Sequence, residues 1–222
     1  MLTGMADTIL LAELAEDRTH DLSSEEALRA AYGPGPGETS LAKACDHLHP
    51  LYRPYIEASP FAVLATRGPQ GLDASPRGDS PGFVAIADDR TLLLPDRRGN
   101  QRMDSLRNIL HDPHVALLFF IPGVGETLRV EGTARISAAP ALCERFSVDG
   151  KAPASVLVIS VGCVFFQCAR AIKRSALWDP ARHIERSSLP SPGKILETLS
   201  SSSVDGRAYD SALQARQAAT LY

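Results

Sequence analysis

The chain has 222 residues, 44% of them hydrophobic, and a formal net charge of -3 at pH 7. That length and composition can fill the core of one large globular domain or of two small ones. The charge gives no overall electrostatic footprint for a nucleic acid or an anionic membrane, so neither partner is expected. The four cysteines follow neither zinc-site nor disulfide-scaffold spacing, which predicts reduced thiols, no metal site and a cytoplasmic location.

The first part of the chain is expected to be a helical extension over residues 1–39. Residues 23–26, with the sequence SSEE, resemble a capping box that opens a short helix through Tyr32. Glycine and proline alternate over residues 33–37 and end that helix. From Ser40 to Ile56 the apolar residues return at helical spacing, and Pro50 and Pro54 are expected to kink or divide this second helix.

The middle of the chain is rich in predicted strands. Short apolar, β-prone segments separated by turn residues predict hairpins of 61–66 with 72–75, 83–87 with 91–94, and 115–121 with 127–136. A long strand over 156–166 follows, and helices are predicted over 101–110 and 140–146. Few helices and many hairpins favour an antiparallel barrel over a parallel doubly wound sheet. The barrel domain is expected at 40–180, and a tail over 181–222 is expected to carry a helix near its end.

Arginines surround the predicted start of the 101–110 helix, for which Asn100 is the expected N-cap. A helix N-terminus presents free N–H groups and a partial positive charge, which favour an anion. Arg97, Arg98 and Arg102 flank this point, where positive charge opposes the helix dipole unless an anion is bound. The pattern therefore predicts a phosphate site, the alternative being that the arginines point into solvent.

Two further polar groups lie on predicted strands. Arg77 is at a strand end, where its guanidinium could bind two phosphate oxygens or pair with Asp79, and the residues favour neither reading. Thr127 and Arg129 share one face of a strand, which points them together into a groove or, more commonly, into water. Serine, histidine and aspartate residues are too scattered to assign as a triad, so no catalytic residue is assigned. A bound cofactor would suit such a chain.

Five short motifs occur in a fixed order: SPFxxLAT at 59–66, SPRGDxPGF at 75–83, PDRxGNxR at 95–102, ETLRV at 126–130 and RSxLW at 174–178. This order resembles the pyridoxamine 5′-phosphate oxidase-like, FMN-binding split-barrel family, and a bacterial subgroup rather than the true oxidase. The resemblance implies a mainly β fold with flanking helices, namely a six-stranded antiparallel Greek-key split barrel. It also implies a homodimer with FMN at the subunit interface.

The activity implied by the resemblance is that of an FMN-dependent oxidoreductase acting on a small substrate. True pyridoxamine phosphate oxidases end in a basic, histidine-containing segment, which residues 174–178 do not reproduce, so vitamin B6 oxidation is not expected. One alternative is a non-catalytic module that binds or senses flavin or haem. Another is a flavin reductase that uses FMN as a substrate.

The resemblance also assigns the flavin contacts to residues of this chain. Residues near the phosphate are Ser75, Arg77, Arg97, Arg98, Asn100, Gln101 and Arg102. Residues near the isoalloxazine ring are Thr127 and Arg129, with Phe166, Gln167, Arg174 and Trp178 supplied by the partner subunit.

Overall fold

The structure is a computed structural model that describes residues 16–99 and 101–222 of the chain. Residues 1–15 of the expected N-terminal extension, and Asn100 of the expected phosphate site, lie outside the described residues. The chain divides into two units, Met1–Ala42 and Lys43–Tyr222. The second unit therefore includes the strand-rich region and also residues 181–222.

The described part of the first unit includes the helices α1 (Glu25–Tyr32) and α2 (Glu38–Ala42). The Ser24 hydroxyl caps α1 by accepting a hydrogen bond from the Ala27 N–H at 3.1 Å. Gly33 ends the helix with a φ of 90°, a conformation that glycine adopts at little cost. The predicted short helix through Tyr32 is thus confirmed, with a serine as its cap.

The second unit begins with a helix that is shorter than expected. The sequence 40–56 does not form one kinked helix: Cys45 instead pairs with Val164 in an isolated antiparallel bridge. A short helix, α3 (Arg53–Glu57), follows, with Pro54 in its first turn. Proline fits that position because it lacks the N–H that an interior helical residue must donate.

Seven strands form one antiparallel sheet in the order β2-β1-β5-β6-β7-β4-β3. Their bounds are β1 Phe61–Gly68, β2 Gly71–Gly78, β3 Ala85–Ile86, β4 Thr91–Asp96, β5 His114–Phe120, β6 Thr127–Ser137 and β7 Ser155–Gln167. The expected mainly β fold with flanking helices is confirmed, whereas the strand count is seven rather than six because the two-residue β3 is a separate strand. No backbone ladder joins β2 to β3 or β4 among the described residues, so the sheet is split at that point.

The remaining helices flank this sheet. Their bounds are α4 Asp104–His111, α5 Pro140–Glu144, α6 Arg170–Ser175, α7 Pro192–Leu199 and α8 Gly206–Ala219, with 3₁₀ turns at Pro180–Arg182 and Arg186–Ser188. The predicted helices near 140–146 and at the end of the tail are present. In the described part of the chain, no helix has the length and apolar character needed to cross a membrane.

Alternating residues of the strands form the core. Leu64, Leu117 and Val130 on neighbouring strands are each at most 1% exposed, and Ile109 of α4 packs in the same cluster. This alternation is what the period of two in the sequence predicts for a sheet with one buried face.

Polar contacts fix helix α4 against the first hairpin. The Asn108 amide donates to Thr66 Oγ1 at 3.0 Å, and the Ser105 hydroxyl donates to Asp73 Oδ2 at 3.0 Å. Gly68 allows this close packing, because a Cβ atom there would lie 1.9 Å from Asn108 Oδ1. The start of α4 is therefore held beside β2, at the split of the sheet.

Candidate functional site

Two crossed ion pairs join the two ends of the split sheet. Arg77 Nη1 of β2 lies 2.9 Å from Asp96 Oδ1 of β4, and Arg97 Nε lies 2.9 Å from Asp79 Oδ2. The side chains are mostly buried, with 18% and 20% exposure in the first pair and 19% and 6% in the second. The sequence-based alternative that Arg77 pairs with Asp79 is thus wrong, because each of these residues pairs with a partner from the opposite end of the sheet.

A cavity of about 1240 Å³ opens beside these ion pairs. Small-molecule sites commonly measure roughly 300–1,000 Å³, so the cavity has room for a nucleotide-sized ligand. Its walls come from β2, the end of β4, the start of α4 and the segment Lys151–Ser155. Six of the residues predicted to hold a phosphate line it: Ser75, Arg77, Arg97, Arg98, Gln101 and Arg102.

The cavity carries an excess of positive charge. Five cationic side chains line it against the three carboxylates of Asp73, Asp96 and Asp104. Arg98 and Lys151 are exposed, and their side chains make no ion pair or hydrogen bond to any described residue. The lining is therefore suited to a ligand with more than one negative charge.

Arg77 Nε is buried and has no hydrogen-bond partner among the described residues. An unsatisfied buried donor costs about 1–3 kcal/mol, and such a group is rare enough to need an explanation. An anionic ligand in the cavity would supply the missing acceptor after a small shift of the guanidinium. The donors present therefore fit a phosphate group.

The loop before α4 is strained, and α4 itself is shorter than predicted. Helix α4 begins at Asp104 rather than Gln101, so Arg102 precedes the helix and pairs with Asp104 at 2.7 Å. The first turn is consequently acidic, and the expected clash of basic first-turn residues with the helix dipole is wrong. Gln101 and Met103 instead adopt left-handed φ values of 60° and 58°. Such residues cost roughly 1–2 kcal/mol each and concentrate at ligand sites.

Arg97 is the centre of the most connected cluster at the cavity edge. Besides its pair with Asp79, its Nη1 donates to the Phe146 carbonyl at 2.7 Å. The Tyr222 hydroxyl donates to Asp79 Oδ1 at 2.7 Å, and the Tyr222 ring centroid lies 5.3 Å from Arg97 Cζ. Tyr222 also lines the cavity.

The charge state of this cluster follows from its hydrogen bonds. Burial alone would raise the pKa of Asp79, but hydrogen bonds from Tyr222, the Ser80 N–H and Arg97, with the charge of Arg97, together lower that pKa. The hydrogen bond to Asp79 raises the pKa of Tyr222 above its ordinary value of 10.0. At neutral pH Asp79 is therefore an anion and the Tyr222 phenol a donor.

The residues predicted to contact the flavin ring lie elsewhere, where β6 begins and β7 ends. Thr127 and Gln167 are directly opposite each other in the ladder, with Thr127 Oγ1 3.3 Å from Gln167 Oε1. The Trp178 indole N–H donates to the Val124 carbonyl at 2.7 Å, which holds the indole beside the start of β6. We call Thr127, Gln167 and Trp178 the β6–β7 cluster.

Three more predicted residues lie near this cluster. Arg129 forms an ion pair with Glu131, and its guanidinium also lies 5.6 Å from the Phe165 ring centroid. Phe166 is 36% exposed, and Arg174 is exposed in the last turn of α6. None of these residues, and none of the β6–β7 cluster, is among the described residues that line the cavity.

The sheet register sets the separation of the two groups. One row across the sheet runs from Arg77 through Ala62, Phe119 and Leu128 to Phe166. Arg77 and Leu128 are three strand spacings apart, which is roughly 14 Å along the sheet. Within one chain the structure therefore brings together the phosphate-end residues and, separately, the ring-end residues.

Lys151 and Tyr222 are among the cavity residues that the sequence did not predict as part of the site. Lys151 follows the left-handed pair Asp149 and Gly150, and this Asp-Gly turn was a local signal that the chain reverses there. Tyr222 had no such signal, because its contact with Asp79 spans 143 residues. Among residues 16–99 and 101–222, no group of three or more His, Cys, Asp or Glu residues could hold a metal ion.

Comparisons with known proteins agree with the motif order. The family model described as pyridoxamine 5′-phosphate oxidase matches residues 48–168, more than half of the 222 residues. No curated protein sequence matches the chain.

Several solved structures are similar to part of this chain, with TM-scores below 0.5. HupZ from Group A Streptococcus is 20% identical, with a TM-score of 0.44 over 52% of this chain and 90% of that chain. A protein from Clostridium acetobutylicum related to general stress protein 26 is 16% identical, with a TM-score of 0.42 over 52% and 84%. General stress protein 26 from Bacillus anthracis is 18% identical, with a TM-score of 0.39 over 51% and 88%.

Proposed function

Because the chain belongs to the pyridoxamine 5′-phosphate oxidase family, we propose that it is a cytoplasmic, homodimeric, FMN-dependent oxidoreductase acting on a small substrate. The observation that carries the proposal is the cationic cavity at the split of the sheet, with a buried Arg77 Nε that has no acceptor among the described residues. Bound FMN would supply hydride and electron transfer, chemistry that protein side chains do not provide.

The phosphate of FMN would be held at the cavity by arginines from both ends of the sheet. Arg77 contributes Nε, and Arg98 contributes an exposed guanidinium with no partner among the described residues. The free N–H groups at the start of α4 add to this, because Met103 provides no side-chain cap. Asp96 and Asp79 keep Arg77 and Arg97 in place before the ligand arrives.

The β6–β7 cluster would contact the isoalloxazine ring. Thr127 and Gln167 offer a hydroxyl and an amide side by side, and Trp178 offers an aromatic wall. Because Thr127 and Gln167 are neighbours in one chain, both would reach a given flavin from the same subunit. This differs from the expected division of Thr127 and Gln167 between two subunits.

The separation of the two groups of residues supports homodimerisation. The cavity does not include the β6–β7 cluster of the same chain, and a second copy would supply one to complete the site. A monomeric elution volume in gel filtration would contradict this part of the proposal.

The central experiment compares FMN with riboflavin, which has the same ring and no phosphate. We expect the protein to bind FMN much more tightly than riboflavin, and Arg98→Met to weaken FMN binding about ten-fold or more while leaving riboflavin unchanged. The matched control is Arg135→Met, since Arg135 is exposed on β6 and does not line the cavity. Colourless protein that FMN neither binds nor stabilises would refute the proposal.

Flavin binding without turnover is a second candidate. It is favoured by the composition of the cavity, since histidine, the side chain that general acid–base catalysis uses most often, is absent from its described lining residues. Consumption of NADH or NADPH with reoxidation of the protein would support the enzyme, and retention of FMN without consumption would support the second candidate.

A further inference from the structure

We infer that Tyr222 is a positioning residue for the phosphate of the flavin: through Asp79 its hydroxyl fixes the orientation of Arg97 at the cavity. The inference rests on the proposed function. Tyr222 lies outside the residues 48–168 matched by the family, so the role would belong to this chain's own C-terminal region.

The contacts form a continuous chain of hydrogen bonds. Tyr222 donates to Asp79 Oδ1 at 2.7 Å, and Arg97 Nε donates to Asp79 Oδ2 at 2.9 Å. The Asp79 side chain is only 6% exposed, so water cannot readily replace either donor. The carboxylate is therefore held from both sides: Oδ2 accepts from Arg97, and Oδ1 accepts from Tyr222 and also from the Ser80 N–H at 2.8 Å.

Arg97 is left with one nitrogen for a ligand. Nε is bound by Asp79 and Nη1 by the Phe146 carbonyl, whereas Nη2 makes no hydrogen bond to any described residue. The Tyr222 ring covers the guanidinium at 5.3 Å from Arg97 Cζ, a distance typical of cation–π contacts. A guanidinium fixed before binding loses less rotamer entropy when a phosphate arrives.

Two closely packed helices, α7 and α8, precede Tyr222 in the chain. Helices α7 and α8 cross closely at Gly193 and Gly206, because a Cβ on Gly193 would lie 2.0 Å from the Gly206 oxygen. Asp210 of α8 accepts hydrogen bonds from the Ser191 hydroxyl at 2.5 Å and the Gly193 N–H at 2.7 Å. Close backbone contact and hydrogen bonds thus fix α7 against α8, and Tyr222 follows shortly after the end of α8 at Ala219.

The experiment measures dissociation constants of FMN and riboflavin for the wild type and for Tyr222→Phe. Loss of one hydrogen bond is expected to raise the FMN dissociation constant about two- to ten-fold, with no change for riboflavin. Tyr222→Ala, which also removes the ring, is expected to have a larger effect on FMN alone. The control is Tyr209→Phe, since the Tyr209 ring also lies against an arginine, 4.3 Å from Arg216 Cζ, but does not line the cavity.

The outcomes separate this inference from the proposed function. If the wild type does not distinguish FMN from riboflavin, the proposed function and the inference both fail. If the wild type prefers FMN and Tyr222→Phe keeps the same constant, only the inference fails. Equal weakening of FMN and riboflavin would also overturn the inference, because it would show a general structural effect, which the thermal unfolding of the variant would report independently.

Discussion

Replacing Asp96 by asparagine tests whether the crossed ion pairs hold the split sheet together. The substitution keeps the size of the side chain and removes its charge, so that the Arg77 guanidinium, only 18% exposed, loses its carboxylate. Because Asp96 lies on β4 and Arg77 on β2, the perturbation acts at the join between the two ends of the sheet.

The expected loss in the free energy of unfolding follows from the burial of the Arg77–Asp96 ion pair. Breaking a fully buried ion pair costs about 3–5 kcal/mol, whereas an exposed pair is worth up to about 1 kcal/mol. With one fifth of each side chain exposed, we expect Asp96→Asn to lower the free energy of unfolding by about 2–3 kcal/mol. For a domain of this size that corresponds to a fall in Tm of roughly 4–12 °C.

Thermal and urea unfolding, each with and without FMN, provide the assay. A phosphate would replace the lost carboxylate as an acceptor for Arg77, so the rise in Tm caused by FMN should be larger in Asp96→Asn than in the wild type. The matched control is Glu197→Gln, whose pair with Lys194 at 3.4 Å has side-chain exposures of 68% and 37%. We expect that control to change stability by less than about 1 kcal/mol.

An Asp96→Asn variant that unfolds at the wild-type temperature would refute the argument, because the ion pair would then contribute nothing to the join. An equal FMN-induced rise in Tm in both proteins would refute the prediction about FMN, since it would mean that the phosphate does not replace the Asp96 carboxylate as an acceptor for Arg77.

Three further predictions concern other parts of the second unit. The pKa of Asp79 is lowered in the folded state from its ordinary value of 3.8. The ionised carboxylate therefore stabilises the fold above that pH, and this stabilisation is lost as the pH falls through the folded pKa. The difference in unfolding free energy between the wild type and Asp79→Asn should accordingly shrink below about pH 4. At the β6 bulge, Gly132→Ala would place a Cβ atom 2.0 Å from a backbone oxygen of β7. We expect this variant to lower the free energy of unfolding, measured in urea, by more than about 2 kcal/mol. The control Gly162→Ala should have little effect, because the nearest atom to its Cβ lies at 3.6 Å. Trp178 is the single tryptophan, so FMN should quench the intrinsic protein fluorescence with the same dissociation constant that the flavin signal gives. Unquenched tryptophan emission at FMN saturation would place the isoalloxazine ring away from the β6–β7 cluster.

Much of the fold could be predicted from the sequence because its signals are local. Alternating apolar residues and turn chemistry depend on neighbours within a few positions, and they located the hairpin that begins at Phe61 and the long strand that ends near Phe166. The start of α1 near residues 23–26 was predicted in the same way. The local signal was weaker at the start of α4, where Gln101 to Met103 adopt a strained loop that their residue types do not indicate.

Only part of the candidate site could be predicted from the sequence. By itself the sequence determined which arginines cluster along the chain and, through the order of its motifs, the family. The tertiary structure decided that Arg77 pairs with Asp96, 19 residues away, and that Tyr222 reaches Asp79 across 143 residues. The physical reason is that the choice of partner for a charged group depends on which ends of the sheet meet, and strand order is set by packing of the whole chain rather than by the residues next to the charge.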